Sequence, residues 1–423
     1  LNSVLVSDNN GANVKQIWDA HRMVAGWPRF SPDSKRIRVT VAGASPADPT
    51  RIWEVDVDGG HPHQLALAWP DDAYQRDGQW TADGRHFFFS SNREDLSGIY
   101  ELKQPPWFEL WKKPTTVRLT AGQIDVLGAT PSRDSTGLFV MGRIAQGAMQ
   151  AYDSRQNRFM PYLGGLPASA LIVSPDRKWM VYSDYPRHFL WRSRLDGSEK
   201  LQLTGVYSWM PQWSPDSKSI AFSNQKEIYR VSVDGGAPEK LTSEGKAEVA
   251  PSWSPDGKSI AFNDFPSPGR VDGLKVVDLA TRKVSIMPGS EGFYVPSWSP
   301  DGLHMVAMAE NPSRMVLYSA RNHTWKELKK FEAVWGFWVW SSDSKSLNIA
   351  MTQAAPGEDP GIYRLTIVDG TWERIAKFDG VTVSSEGSEG FPCITPNGQL
   401  AIMSDTSAIQ IYFAKWNTSA DPP

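Results

Sequence analysis

Residues 213–224 read WSPDSKSIAFSN and residues 253–264 read WSPDGKSIAFND, nine identities in twelve positions at an offset of forty. Nothing else in the chain constrains its fold as strongly, because a sequence that repeats at a fixed interval folds as copies of one structural unit. A turn of the form Ser/Thr-Pro-Asp-Gly/Ser followed by an apolar stretch recurs as FSPDSKRI (30–37), WTADGRHF (80–87), VSPDRKWM (173–180), WSPDGLHM (298–305) and WSSDSKSL (340–347). Weaker copies stand at TPSRDSTGLFV (130–140) and ITPNGQLAI (394–402). Asp33, Asp83, Asp134, Asp176, Asp216, Asp256, Asp301, Asp343 and Asn397 mark nine copies, spaced by 50, 51, 42, 40, 40, 45, 42 and 54 residues.

The cleanest copy, residues 207–243, divides into four short stretches separated by turn chemistry. Trp209 to Trp213 leads into Ser214-Pro215-Asp216-Ser217, where proline supplies a fixed φ and aspartate accepts backbone N–H bonds. Ser219 to Phe222 and Ile228 to Val233 are β-branched and aromatic with partial alternation, as in strands packed against a neighbouring sheet. Asp234-Gly235-Gly236 makes a second turn, and Glu239 to Thr242 is a short outer strand. The unit is a four-stranded antiparallel meander. Such a sheet is apolar on both faces, so copies stack face to face, and radial stacking protects their edges. The expectation is an all-β fold, a β-propeller of four-stranded antiparallel blades with about eight or nine repeats. The aromatic before each turn (Phe30, Trp80, Trp213, Trp253, Trp298, Trp340) packs between blades.

One ring over 1–423 gives 47 residues per blade; the competing division makes 1–165 a partial propeller and 166–423 a six-bladed one. Ser3 to Val6 and Val14 to Trp18 match a third and fourth strand, and Phe391 to Phe413 supplies three strands without a clear fourth. A single ring therefore closes by pairing Val14–Trp18 with the C-terminal strands, leaving Ser3–Val6 surplus. The chain opens on Leu1 and not on methionine, and is expected to be cut from a longer one.

Composition removes several function classes. With 44 Lys and Arg against 47 Asp and Glu, the net charge of −3 offers no general field for nucleic acid. Cys393 is the single cysteine, so no internal disulfide forms. No apolar run reaches the length of a membrane span, and no signal-peptide pattern opens the chain.

The repeats resemble the TolB-type, WD-like propeller family, whose blade carries a Trp-Ser-Pro-Asp-Gly turn, then Lys, an Ile-Ala-Phe strand and a later Asp-Gly-Gly turn. Residues 207–243 and 247–264 match closely and 298–305 well. A narrower likeness joins LWRSRLDGSEKLQLT (190–204), FMPYLGG (159–165) and PGSEGFYVPSWSPDG (288–302) to the C-terminal propeller of bacterial winged-helix regulators. That resemblance implies a sensory propeller of a larger protein, in a periplasmic or extracytoplasmic location, with transcriptional regulation belonging to the parent chain.

The chain has no Gly-x-Ser-x-Gly nucleophile elbow. Gly257-Lys258-Ser259 imitates the end of a phosphate loop, but Ser252 stands where its first glycine is required. His61-Pro62-His63 lacks an adjacent Cys or Glu ligand and reads as a solvated loop. Asp56-Val57-Asp58-Gly59 and Asp234-Gly235-Gly236 lack the remaining ligands of a calcium loop and read as hairpin turns. No catalytic residue, metal ligand or cofactor is assigned.

Three segments depart from the repeat: 103–116 with Trp107, Phe108 and Trp111, 334–340 (VWGFWVW), and the Gly/Ser/Glu loop 379–392. The first either folds its aromatics onto its own blade or forms a protein-contact patch, the second is core packing or a ligand-stacking platform near the channel, and the third is expected to be a mobile loop that lengthens the last repeat. Function is expected where strands leave the repeat's packing, at loops and the channel mouth. The strands entering each turn are innermost, so their beginnings, Trp27, Tyr207, Trp209, Phe293, Tyr294, Trp335 and Phe337, are the candidate rim residues. Their aromatic character suits a peptide or a ring-bearing small ligand better than a bare phosphate. The expected function is non-enzymatic recognition or sensing, with a protein or peptide partner. The alternative is an accessory propeller gating a hydrolase or peptidase domain.

Overall fold

Each turn is closed by its aspartate. In the computed structural model of the chain, Ser214 Oγ donates to Asp216 Oδ1 at 2.6 Å, Lys218 N donates to the same oxygen at 3.1 Å, and Ser219 N donates to Ser214 Oγ at 2.9 Å. The three bonds recur around Asp256. The hydroxyl-to-Asp/Asn bond is present at all nine marks. The residue after the acid takes a left-handed φ, +61° at Ser217, +69° at Gly257 and +70° at Gly302. At Gly302 glycine is also a steric need, since a Cβ would lie 2.5 Å from Pro255.

The Ser214 hydroxyl and the Lys218 amide hold the Asp216 carboxyl below its ordinary pKa, and the Ser254 hydroxyl and Lys258 amide do the same for Asp256. A depressed carboxylate pKa stabilises the fold above the unfolded value of 3.8 and loses that effect as pH falls through the folded value. Asp216→Ala or Asp256→Ala is expected to cost about 1 kcal/mol at neutral pH, the worth of a turn hydrogen bond. The loss should shrink as pH falls below 3.8. Thermal melting across pH checks both statements; a pH-independent loss refutes the turn assignment.

The structure describes residues 3–21, 23–42, 50–65, 73–94, 96–103, 115–120, 124–243, 247–265, 272–309, 313–331, 336–352, 359–383 and 391–415. They form strands joined by turns and loops, and no helix among them is long and apolar enough to cross a membrane. The chain falls into two compact units, Gln146–Thr406 and Leu1–Ala145 with Ser407–Pro423, so the sequence of one is inserted in the other.

In the 146–406 unit six four-stranded antiparallel sheets follow one another. Blade 1 is Ala168–Val173, Trp179–Asp184, Leu190–Arg194 and Leu201–Gln202; blade 2 is Trp209–Trp213, Ser219–Ser223, Ile228–Ser232 and Glu239–Lys240. Blade 3 is Glu248–Trp253, Ser259–Asp264, Lys275–Asp278 and Val284–Ile286; blade 4 is Phe293–Trp298, His304–Ala309, Arg314–Ser319 and Thr324–Lys330. Blade 5 is Gly336–Trp340, Ser346–Met351, Gly361–Thr366 and Trp372–Lys377. Blade 6 takes its inner strands, Cys393–Ile394 and Leu400–Asp405, from the C-terminal side and its outer strands, Gly147–Asp153 and Arg158–Pro161, from the N-terminal side. Gly147 pairs with Asp405 and Ala151 with Ala401. Buried clusters link blade 6 to 1, 1 to 2, 2 to 3, 3 to 4, 4 to 5 and 5 back to 6, so the ring closes.

Trp213, Trp253 and Trp340 plug these interfaces. Their indole N–H groups donate to the preceding blade's carbonyls of Ile172 (3.0 Å), Gln212 (3.2 Å) and Ser297 (3.2 Å). Aromatic burial and a satisfied N–H at one repeat position explain why tryptophan recurs there.

The other unit holds the first three turns. Its sheets are Ser3–Val6 with Lys15–Asp19; Val24–Phe30, Arg36–Ala42, Arg51–Asp56 and His63–Gln64; Gln75–Trp80, Phe87–Glu94, Leu96–Lys103 and Thr115–Arg118; and Asp125–Pro131, Gly137–Ile144 and Ala408–Lys415. Consecutive sheets share buried clusters. The expected closure through Val14–Trp18 is corrected here: Lys15–Asp19 pairs with Ser3–Val6, which is therefore not surplus, and the last strand pairs with Gly137–Ile144. The physical reason is length. Ala408–Lys415 matches Gly137–Ile144 over eight registered pairs, an extended ladder that leaves blade 6 to recruit Gly147–Asp153. Phe139, Met141, Ile409, Ile411 and Phe413 on this ladder are exposed, and Phe139 stands opposite Phe413 with ring centroids 4.9 Å apart.

Candidate functional site

The inner strands do not run straight into their turns. Register shifts fall between Trp209 and Gln212, Val249 and Ser252, and Tyr294 and Ser297. Each bulge holds a residue at positive φ before a proline: Met210 (+52°), Ala250 (+55°) and Val295 (+53°), ahead of Pro211, Pro251 and Pro296. Proline has no N–H to leave unpaired at the irregular position. A β-branched residue at such a φ is rare, and the neighbouring sheets must hold Val295 there.

The bulges turn the strand beginnings toward one another. Trp209, Val249 and Ala250 form a buried cluster against which Tyr207, Met210, Phe265, Val295 and Phe391 pack half-buried. These residues come from blades 2, 3 and 4 and from the segment leading into blade 6. Blades 2 and 4 are not neighbours in the ring, so this cluster lies on the axial side of the blades. Trp209 lies nearly parallel to Phe265 at 6.4 Å, and Phe391 stacks on Phe337 at 3.7 Å, which brings in blade 5. Tyr207 packs on His188 at 4.9 Å.

Several polar side chains near this cluster are engaged, while the buried Trp209 Nε1 has no hydrogen-bond partner among the described residues. Glu248 is buried and accepts from the Thr242 hydroxyl, while its backbone carbonyl accepts from Ser223 Oγ at 2.6 Å. Lys275 Nζ meets both oxygens of Asp264 at 2.8 Å, and Val295 N donates to Asn263 Oδ1 at 2.8 Å. What remains for a visitor is an aromatic and aliphatic surface.

Of the rim residues expected from sequence, Tyr207 and Trp209 belong to this cluster and Phe337 joins through Phe391. Tyr294 lies in the core between blades 4 and 5. Phe293 packs edge-on against Trp325 at 5.0 Å, between blades 3 and 4. Strand alternation sends these two adjacent rings to opposite faces of blade 4. Trp27 stands in the other unit, at its own bulge before Pro28, 57% exposed. Trp335, and Trp107, Phe108 and Trp111 of the 103–116 segment, lie outside the described residues, as do 384–390 of the 379–392 loop. Met210, Val249, Val295, Phe265 and Phe391 were missed. Met210 and Val295 carry a legible signal, the x-Pro-x-Trp ending of WMPQW and YVPSW, and Val249 stands just before the same ending in VAPSW; Phe265 and Phe391 sit in loops with none.

Other reactive groups are committed elsewhere. His61 Nδ1 contacts Asp56 Oδ2 at 2.8 Å and His63 Nδ1 contacts the His61 carbonyl at 2.9 Å. Burial pushes the Cys393 thiol up to about 12, and its sulfur accepts from Leu171 N. Ser169 Oγ lies 3.1 Å from His188 Nδ1, but Ser169 is fully buried. Among the described residues no three or more His, Cys, Asp or Glu side chains are grouped to hold a metal.

The family described as PD40, TolB beta propeller domain, matches residues 189–332. No curated protein matches the sequence. Solved structures similar to the chain include one assigned as TolB from Agrobacterium tumefaciens (16% identity, 62% of this chain and 98% of that one, TM-score 0.49). TolB from Acinetobacter baumannii shares 19% identity over 69% of this chain and 63% of its own, with a TM-score of 0.32. Oligogalacturonate lyase from Vibrio parahaemolyticus shares 13% identity over 96% and 98%, with a TM-score of 0.41. With every one of these scores below 0.5, the fold stands on the strand pairing and the repeat. The matched residues 189–332 run from the third strand of blade 1 to the end of blade 4 in the closed six-bladed ring.

Proposed function

We propose that the 146–406 unit is a non-enzymatic recognition module that takes a peptide or ring-bearing ligand at its axial mouth, and that the two compact units are separate domains. The observation that carries this reading is the convergence of Tyr207, Trp209, Met210, Phe265, Val295 and Phe391 from blades that are not neighbours. A concave apolar site with neutralised polar neighbours favours stacking and burial over charge pairing. A sensory role within a larger bacterial regulator rests on the sequence likeness of 159–165, 190–204 and 288–302 alone.

Phe265 and Phe391 are half-buried and suit the test better than Trp209, whose loss threatens the fold. A phage-displayed random heptapeptide library panned on the wild-type chain is expected to enrich aromatic sequences. Their affinity should fall about tenfold or more in Phe265→Ser and Phe391→Ala, near the worth of one aromatic contact. Failure to enrich any peptide, or equal binding to variants that retain the wild-type melting temperature, removes the proposal.

A further inference from the structure

A cavity of about 460 Å³ opens between blades 5 and 6, lined by Lys345, Ser346, Asn348, Arg364, Thr366 and Ile394 among others. It lies at the turn ends of the blades, where the strands leave Ser341–Ser346 and Thr395–Gln399, and involves none of the axial aromatics.

Its origin is legible in the repeat. Where Trp213, Trp253, Trp298 and Trp340 fill the space beside the preceding blade, blade 6 places Ile394, a much smaller side chain. Its turn is also one residue shorter, since Gln399 N rather than a residue five positions on donates to Thr395 Oγ1. Blade 1 likewise lacks the tryptophan, but there Val173 is backed by Tyr162, Leu163 and Trp191.

Blade 5 answers with polar side chains. Leu347, Ile349 and Met351 pack toward blade 4, which turns Ser346, Asn348 and Ala350 toward blade 6. Ala350 and Ile362 join Ile402 and Phe159 in the apolar part of that interface. Asn348 occupies the register position held in the other blades by Val181, Ala221, Ala261, Val306 and Ala401, all buried. Asn348 is itself only 5% exposed and lines the cavity. A polar side chain at a core position costs free energy unless something satisfies it.

The charges around it select the partner. Asp343 is occupied by Ser341 Oγ (2.6 Å) and Lys345 N (3.1 Å). Lys345 Nζ has no ion pair among the described residues, and Arg364, which lines the opening, holds Glu373 through one nitrogen at 3.2 Å. Two cations, a carboxamide and hydroxyls around a small-molecule-sized space match an anionic oxygen acid. We propose that this interblade cavity binds a small hydroxylated anion, carboxylate or phosphate, with Asn348 and Arg364 as its principal contacts.

Isothermal titration of the full chain with glycerol 3-phosphate, malate and inorganic phosphate at constant ionic strength, with glycerol as the neutral control, tests this. One anion should bind and glycerol should not, and the phosphate and malate arms separate the two acids. Arg364→Gln and Asn348→Ala should each weaken binding about tenfold, one hydrogen-bonded charge or its equivalent. Ile394→Trp should abolish it by restoring the plug, with the Val339 carbonyl as acceptor by the register of the other three tryptophans. If Ile394→Trp does not fold, Lys345→Gln with Arg364→Gln, both at exposed positions, replaces it. No binding by any anion, or binding that survives these substitutions, overturns the assignment.

Discussion

Glu54→Gln is expected to lower the stability of the 1–145 unit by roughly 3–5 kcal/mol, the penalty for stranding one member of a buried ion pair. Arg38 is the largest fully buried side chain, and its guanidinium lies over the rings of Trp80 (4.0 Å) and Phe87 (4.3 Å) between the second and third sheets. Its Nε donates to Glu54 Oε2 at 2.7 Å, with the two side chains 2% and 6% exposed. Burial lowers the guanidinium's pKa and Glu54 offsets part of that, leaving it at about 10, so it stays charged at neutral pH. Arg36 also reaches Glu54, at 3.0 Å, but from a half-exposed position where the solvent-screened pair is worth less. Replacing both partners, as Arg38→Met with Glu54→Met, should recover most of the loss, since a thioether packs well on Trp80 and Phe87 and no charge is left behind. Denaturant unfolding of the two single variants and the double closes the cycle. A Glu54→Gln loss under about 1 kcal/mol would mean that water reaches the guanidinium, and the pair would then count as a surface one.

The same contrast between local and distant pairing separates what was legible in the sequence from what was not. The turns were legible because the Ser-Pro-Asp chemistry acts within five residues, as in Ser214, Asp216 and Ser219. The tryptophan before the turn was legible as a plug because one packing problem recurs at one register. Ring closure was not, because Gly147–Asp153 and Leu400–Asp405 are some 250 residues apart and neither carries a mark of its partner. Where the beginnings of the inner strands pack was legible only in part. Tyr207 and Trp209 follow from knowing which strand is innermost, but Tyr294 does not, because the bulge before Pro296 decides which way each ring turns. The cavity beside Ile394 could be read from the missing tryptophan once the repeat was aligned, though Asn348 at its wall shows only when strand alternation is fixed.

Acid is expected to destabilise the 146–406 unit between about pH 6.5 and 4 through His188, by on the order of 3 kcal/mol in total. The side chain is 8% exposed, with Tyr185 edge-on at 6.0 Å, Tyr207 at 4.9 Å and Ser169 Oγ at 3.1 Å from Nδ1. Burial pushes its pKa from 6.5 down to about 4. Below pH 6.5 the unfolded chain therefore takes up a proton that the folded chain refuses until about pH 4, and stability falls by about 1.4 kcal/mol per pH unit across that window. Asp184, in the same loop, has its pKa raised by burial, so it gains a proton above the ordinary carboxylate range and opposes the loss at the low end. The turn aspartates act lower, below 3.8, and leave the window clear. His188→Gln should flatten the profile between pH 6.5 and 4, whatever its effect on stability at neutral pH. The consequence for recognition follows from one bond: Ser208 N donates to the His188 carbonyl at 2.8 Å, so the loop that buries the imidazole also anchors the segment carrying Tyr207 and Trp209. Hydrogen exchange at the Ser208 amide should accelerate on going from pH 7 to 5 relative to its intrinsic rate, and should not do so in His188→Gln. An exchange profile identical in the two proteins would detach the mouth from the histidine and leave the acid effect, if seen, to other groups.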